Sequence, residues 1–203
     1  MHLVIALLFA LAMLSPAGAA PTSGGRTKAA PAASASASDL APARADFDAW
    51  VADGHAAAFA RFETLLTAHD VANVLPPWTL WYQGTDWKKV GLPAYAEPPE
   101  AAWKQIVPTL RLVRDIVIPA VGPVEVRSGF RTPDYNARAG GASRSQHLDF
   151  TGLDLVPART WTRADLHASL VATHGVHGAE RRMGLGLYSG LRFHVDTARY
   201  RRW

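Results

Sequence analysis

Three residues in the C-terminal half, His147, Asp154 and His194, are of types that can share a metal ion. The first two stand seven positions apart in SQHLDFTGLD. A continuous strand would separate them by roughly 23 Å and turn them to opposite faces. A helix would leave roughly 10 Å of rise between them, and Phe150-Thr151-Gly152 is a poor helix former. The segment must therefore bend, with His147 on a loop and Asp154 on a strand that begins near Gly152. Asp154 then lies between Leu153 and Leu155, where an unpaired carboxylate is costly to bury, so a positive group must meet it. In RFHVD, strand alternation puts Arg192, His194 and Asp196 on one face and Phe193 and Val195 on the other. Two histidines and a carboxylate would leave a fourth zinc position open for water. The alternative for His194 is a hydrogen-bonded core histidine.

The rest of the chain must position these groups. There is no cysteine, so disulfides and thiolate metal sites are excluded and any metal rests on His, Asp and Glu. Hydrophobic residues make up 49% and charged residues 19%, enough for a sizeable core in one domain. The net charge of +4 comes from scattered arginines, densest at Arg192, Arg199, Arg201 and Arg202. That balance suits an anionic surface such as a cell wall but lacks the basic runs of a nucleic-acid footprint.

Residues 1–19 contain an apolar run from Leu3 to Leu14, then Pro16 and Ala17-Gly18-Ala19, which reads as a secretory signal peptide. The alternative is a retained N-terminal anchor, but twelve apolar residues are short for a membrane span, and no stable insertion is expected after cleavage. Residues 20–44, rich in Ala, Ser and Pro, read as a flexible linker, and 45–203 as a single domain. In that domain DFDAWVADGHAAAFARFETLLTAH has the spacing of an amphipathic helix weakened at Gly54. Trp78, Trp81 and Trp87 follow in a proline-rich stretch and serve core packing or, alternatively, stack on sugar rings. A second helix spans Glu100 to about Ile118, kinked or restarted at Pro108. Strands are expected at PVEVRSGF, GLDLV (152–156), MGLGLY (183–188) and RFHVD (192–196), the last two joined by a turn at 188–191. Thr162 to His174 reads as a helix stopped at Gly175, leaving His174 and His177 in an exposed loop. The fold class is α+β: a small antiparallel sheet carrying the site, packed with N-terminal helices.

SGFRTPDYNARAGGASRSQH…D, followed by a hairpin ending in FHVDTARYRRW, resembles the zinc D-alanyl-D-alanine carboxypeptidase family, in particular its branch of small periplasmic murein peptidases. The superfamily includes the vancomycin-resistance D,D-dipeptidases and shares its zinc-site fold with the hedgehog signalling domain. The resemblance covers about residues 100–203. It implies one zinc per chain held by His147, Asp154 and His194, with Arg131 contacting the substrate carbonyl or carboxylate and Ser145 aiding substrate binding. Thr132-Pro133 would open a short helix behind Arg131, closed at Gly140-Gly141. Some positions depart from the family pattern: Phe150 and Gly152 stand where Gly and Ala are frequent. Leu191 and Arg192 stand where relatives place a Glu or His base. Three acids remain as base candidates: Asp196, Asp149 and Glu180. Asp196 is preferred because it shares a strand face with His194, and its competing role is to orient a zinc histidine.

The implied function is a periplasmic or secreted zinc peptidase, acting as a monomer on peptidoglycan stem peptides or crosslinks. The alternative is a non-catalytic, zinc-stabilised cell-wall-binding module. Nucleic acid is not an expected partner. The mature chain should start near Ala20, and limited proteolysis should cut within 20–44 before the folded part. N-terminal sequencing of exported protein checks this, and cleavage confined to 45–203 would contradict it.

Overall fold

A computed structural model describes residues 43–203. The expected leader and nearly all of the expected linker lie outside the described residues. Among the described residues, no helix is long and apolar enough to cross a membrane.

The first helical stretch forms as two helices, α1 (Arg44–Ala52) and α2 (Ala56–Ala68). They part at Gly54, whose φ of +98° lies outside helical geometry and is cheap only for glycine. A 3₁₀ turn at Pro77–Trp81 and the short α3 (Trp87–Val90) follow. A 3₁₀ segment, Glu100–Gln105, leads into α4 (Ile106–Leu112), a π turn at Val113–Val117 and α5 (Ile118–Val121). Pro108 sits in the first turn of α4, where its missing N–H costs no helical bond. Pro119 cannot donate to the carbonyl four residues back, and the ladder loosens into the π turn just before it.

The remaining elements are β1 (Val124–Ser128), α6 (Pro133–Arg138), β2 (Gly152–Pro157), α7 (Arg163–His177), β3 (Gly184–Leu187), β4 (Phe193–Asp196) and β5 (Arg201–Arg202). They build one sheet in the order β1-β2-β4-β3-β5. All pairs are antiparallel except β3 with β5, which is parallel. The α+β expectation holds, but the sheet is mixed at its edge rather than purely antiparallel. Arg201-Arg202 forms that edge strand without any alternating pattern; what fixes it is backbone pairing, with Trp203 N–H donating to Leu185 O at 3.1 Å and Trp203 O accepting from Leu187 N–H at 3.0 Å.

Register divides the sheet into two faces. Leu153, Val195 and Leu185 align across three strands, as do Leu155, Phe193 and Leu187, and this face joins the core. On the other face Ser128, Asp154, His194 and Gly186 form one row, and Gly152, Asp196, Gly184 and Arg201 the next. The core continues as an aromatic cluster in which the Phe62 ring lies 5.4 Å from Trp81, 5.6 Å from Trp103 and 5.9 Å from Phe150. Trp81 is fully buried and Trp78 and Trp87 pack against the same core, so the packing role of the tryptophan stretch is the one realised.

Helix α7 runs past Gly175 to His177 and is capped at Gly178. Thr162 is its N-cap, accepting from Asp165 N–H at 3.1 Å. The expected exposed loop at 174–177 is therefore helical. His174 is buried; its ring stacks 4.6 Å from Tyr200, and Nε2 lies 3.2 Å from Met183 O and 3.1 Å from Arg201 O. A single glycine costs a helix only about 1 kcal/mol, which the packing of His174 outweighs.

Phe150 is the link between core and site. It adopts φ +55°, rare for a bulky residue, while its side chain is fully buried against Phe62 and Phe130. Phe150→Ala should destabilise the protein by about 3–5 kcal/mol, the usual cost of emptying an aromatic core position. Urea denaturation of the metal-free protein measures this, and a loss below about 1 kcal/mol would show that Phe150 does not anchor the bend.

Candidate metal centre

The bend required by His147 and Asp154 is a network closed on Gln146. Thr151 N–H and Gly152 N–H both donate to Gln146 O, at 2.9 and 3.1 Å, and Thr151 Oγ1 donates to Gln146 Oε1 at 2.9 Å. Thr109 Oγ1, from α4, donates to Thr151 O at 2.6 Å and ties the bend to the helical layer. The chain reverses here and delivers His147 above Asp154.

The three expected ligands meet. One nitrogen or oxygen from each of His147, Asp154 and His194 lies within 4.8 Å of the others, and all three residues are buried. Hydrogen bonding fixes which atoms these are. His147 Nδ1 lies 2.7 Å from Gly129 O, and a carbonyl can only accept, so Nδ1 carries the proton and Nε2 a lone pair. That Nε2 is buried without a hydrogen-bond partner and faces Asp154 Oδ1 at 3.3 Å. Similarly, His194 Nε2 lies 3.1 Å from Asp196 Oδ2 while Nδ1 faces Asp154 Oδ1 at 3.1 Å. With the His194 proton on Nε2, three lone pairs converge on one buried point. Such a point repels itself unless a cation lies in it, so the donor set fits a divalent metal.

Electrostatics agree. Burial pushes His147 down to about 4, against the pull of Asp154, so its ring is neutral at neutral pH. For Asp154 burial acts upward, but His147, His194 and Arg131 outweigh it and hold the carboxyl well below its usual range. His194 is raised: burial opposes its charge, and the hydrogen bonds to Asp154 and Asp196 prevail.

Arg131 leaves β1 through Gly129, whose backbone passes so close to Leu80 that a Cβ would stand 2.1 Å from Leu80 O. Phe130 N–H donates to Leu80 O at 2.9 Å and Arg131 N–H to His147 O at 3.1 Å. The guanidinium reaches Asp154 Oδ2 at 2.6 Å through Nη2, and Ser128 Oγ at 2.8 Å and Gln83 O at 3.2 Å through Nε. Thr132 caps α6 as expected, accepting from Tyr135 N–H at 3.2 Å. Ser145 lines the cleft and accepts from His147 N–H at 3.4 Å.

Asp196 is not beside the open side of the cluster. It is fully buried behind the His194 ring and does not line the cleft. Its oxygens accept from His194, from Ala198 N–H at 2.9 Å, and from both Arg201 Nη atoms at 3.1 and 2.7 Å. Strand alternation does put it on the site face, but one row further along, where it meets the far nitrogen of the ring. Asp149 and Glu180 are exposed and also lie outside the cleft. None of the three acids considered as a base reaches it; the acids that line it are Asp86 and Asp154.

The cluster opens into a cleft of about 730 Å³ bounded by Gly84–Asp86, Ala139–Gln146, Tyr188 and the C-terminal segment. Several of its residues went unread in the sequence. Tyr188 donates to Asp154 Oδ1 at 3.2 Å, and burial raises its phenol, so it stays a neutral donor. Its place two residues beyond Gly186 on the same strand face was a usable signal. Gln83 holds Thr132 and Arg131 through contacts 48 and 49 residues away in sequence, which no local pattern announces. The half-exposed Trp203 lies 5.4 Å from the His194 ring.

A family model described as Peptidase M15 matches residues 83–189, just over half of the chain. The match holds Arg131, Ser145, His147, Asp154 and Tyr188 and ends before His194, whose place in the cluster rests on sheet register. No curated protein and no solved structure shows significant similarity.

Asp196→Asn should lower metal affinity about 10–100-fold, as expected for loss of a carboxylate that orients a ligating histidine. Competition with a chromophoric chelator measures this; unchanged affinity would show that Asp196 does not set the ring.

Proposed function

Because the chain belongs to the peptidase M15 family, we propose that it is a zinc-dependent hydrolase of amide bonds in peptidoglycan stem peptides or crosslinks. The observation that carries this reading is the convergence of three buried lone pairs on the floor of an open cleft. His147 Nε2, Asp154 Oδ1 and His194 Nδ1 would hold one zinc, which supplies Lewis acidity toward a scissile carbonyl and acidifies water. The chain's own groups do the rest. Gly129 O and Asp196 fix the two rings in the tautomers that present lone pairs. Arg131 keeps Asp154 ionised through Nη2, while Nη1, without a hydrogen bond among the described residues, is left to stabilise charge developing on a substrate oxygen. Tyr188 adds a neutral donor next to the ligand oxygen. Ser145 borders the same cleft and would contact the substrate peptide.

Export directed by residues 1–19 would deliver a monomeric domain, 45–203, to the cell wall, and the 20–44 linker would separate it from any retained leader.

A second reading is kept by one observation: the positions where relatives carry a base hold Leu191 and Arg192, and apart from the ligand Asp154 the cleft's one acid is Asp86. That reading is a wall-binding module whose zinc is structural. Digestion of purified sacculi separates the two. Zinc-loaded protein should release muropeptides, chelated protein should release none, and His147→Ala, Asp154→Ala and His194→Ala should each lose both zinc and release. Retention on sacculi with zinc bound and no product released would favour the module.

A further inference from the structure

Binding a carboxylate through a two-pronged contact requires a guanidinium whose fork is free. The arginines of the cleft differ in this respect. Arg131 has Nε and Nη2 committed to Ser128, Gln83 and Asp154. Arg201 grips Asp196 with both Nη atoms. Arg127 pairs with Glu125 on its own strand at 3.3 Å. Arg144 and Arg199 line the cleft but are exposed.

Arg192 differs from all of these. It lines the cleft, it is only partly exposed, and among the described residues its guanidinium makes no ion pair. Instead it lies 5.1 Å over the Tyr188 ring. Such stacking fixes the plane of a guanidinium while leaving its N–H donors unused. The register explains the position. Leu187 and Phe193 are the last pair of the ladder, and Tyr188 and Arg192 are the residues just beyond it, where alternation continues the face that carries Gly186 and His194. The Tyr188 hydroxyl touches Asp154 Oδ1, so the ring bridges the ligand set at one end and carries Arg192 on its face. Arg192 thus holds a free fork one ring away from the reacting centre.

We propose that Arg192 is a specificity-determining residue that binds a carboxylate of the substrate peptide close to the scissile bond. This rests on the peptidase reading and deepens it: the preferred substrate is a peptide with a free carboxylate at that place, not its amide. The carboxylate has two chemical sources, the C-terminus of the peptide or an acidic residue beside the cleaved bond.

The test compares zinc-loaded full chain and Arg192→Met on three versions of a stem-type peptide ending in D-Ala-D-Ala: free acid throughout, C-terminal amide, and the acidic residue converted to its amide. Binding by calorimetry and kcat/KM are both measured. The unmodified chain should favour one carboxylate form over its amide about 10–100-fold, the range for a charged hydrogen-bonded contact. Arg192→Met should reduce that ratio toward one, mainly through KM, with zinc content unchanged, and Arg192→Lys should restore part of it. Which amide loses affinity identifies the source. Equal treatment of acids and amides by the unmodified chain, or a preference that survives in Arg192→Met, would overturn the assignment while leaving the peptidase reading intact. Failure of the unmodified chain to cleave either peptides or sacculi would count against that reading instead, and the binding ratio would still decide the role of Arg192.

Discussion

A carboxylate buried in the middle of a sheet is the constraint around which this molecule is arranged. Asp154 occupies an interior strand with leucines on either side and almost no access to water. Left alone, such a charge is among the costliest things a protein can bury. Here two imidazoles, a guanidinium and a phenol surround it at 2.6–3.3 Å. Oδ2 answers to Arg131, while Oδ1 faces the two histidine lone pairs and receives the Tyr188 hydroxyl. The two oxygens are thus assigned different work: one anchors the residue, and the other is presented to a cation.

The larger fold follows from holding those neighbours still. The hydrophobic face of the sheet supplies the rigidity, and the bend at 146–152 supplies the proximity. Phe150 connects the two, since the same residue that takes the unusual left-handed conformation is clamped in the aromatic core. On the far side, the β5 edge strand places Arg201 against Asp196 and so sets the orientation of His194 from behind. His174 in turn holds the backbone of Arg201, which gives a buried histidine with no part in the metal cluster a structural task.

Much of this was legible in the sequence because it depends on local period and residue type. The alternation in GLDLV and RFHVD located both ligand strands, and the poor strand and helix character of HLDFTG required a turn. The same alternation puts Asp196 on the face of His194, but sharing a face does not say on which side of the ring a residue falls. A one-row offset puts it behind the histidine. What remained hidden was non-local. Gln83, the Leu80 carbonyl against Gly129 and the parallel pairing of β5 arise from contacts between distant segments, and no spacing within either segment encodes them. Helix α7 overran Gly175 because tertiary packing of His174 outweighed a weak local stop.

On the proposed reading His147 Nε2, Asp154 Oδ1 and His194 Nδ1 bind one zinc ion, with Asp196 behind the second ring. Anomalous diffraction at the zinc edge from crystals of the zinc-loaded protein tests it most directly. A single peak is expected at about 2.0–2.2 Å from each of those three atoms, with His194 Nε2 still bonded to Asp196. Absence of a peak there, or a metal reached by His194 through Nε2 with Asp196 displaced, would contradict it.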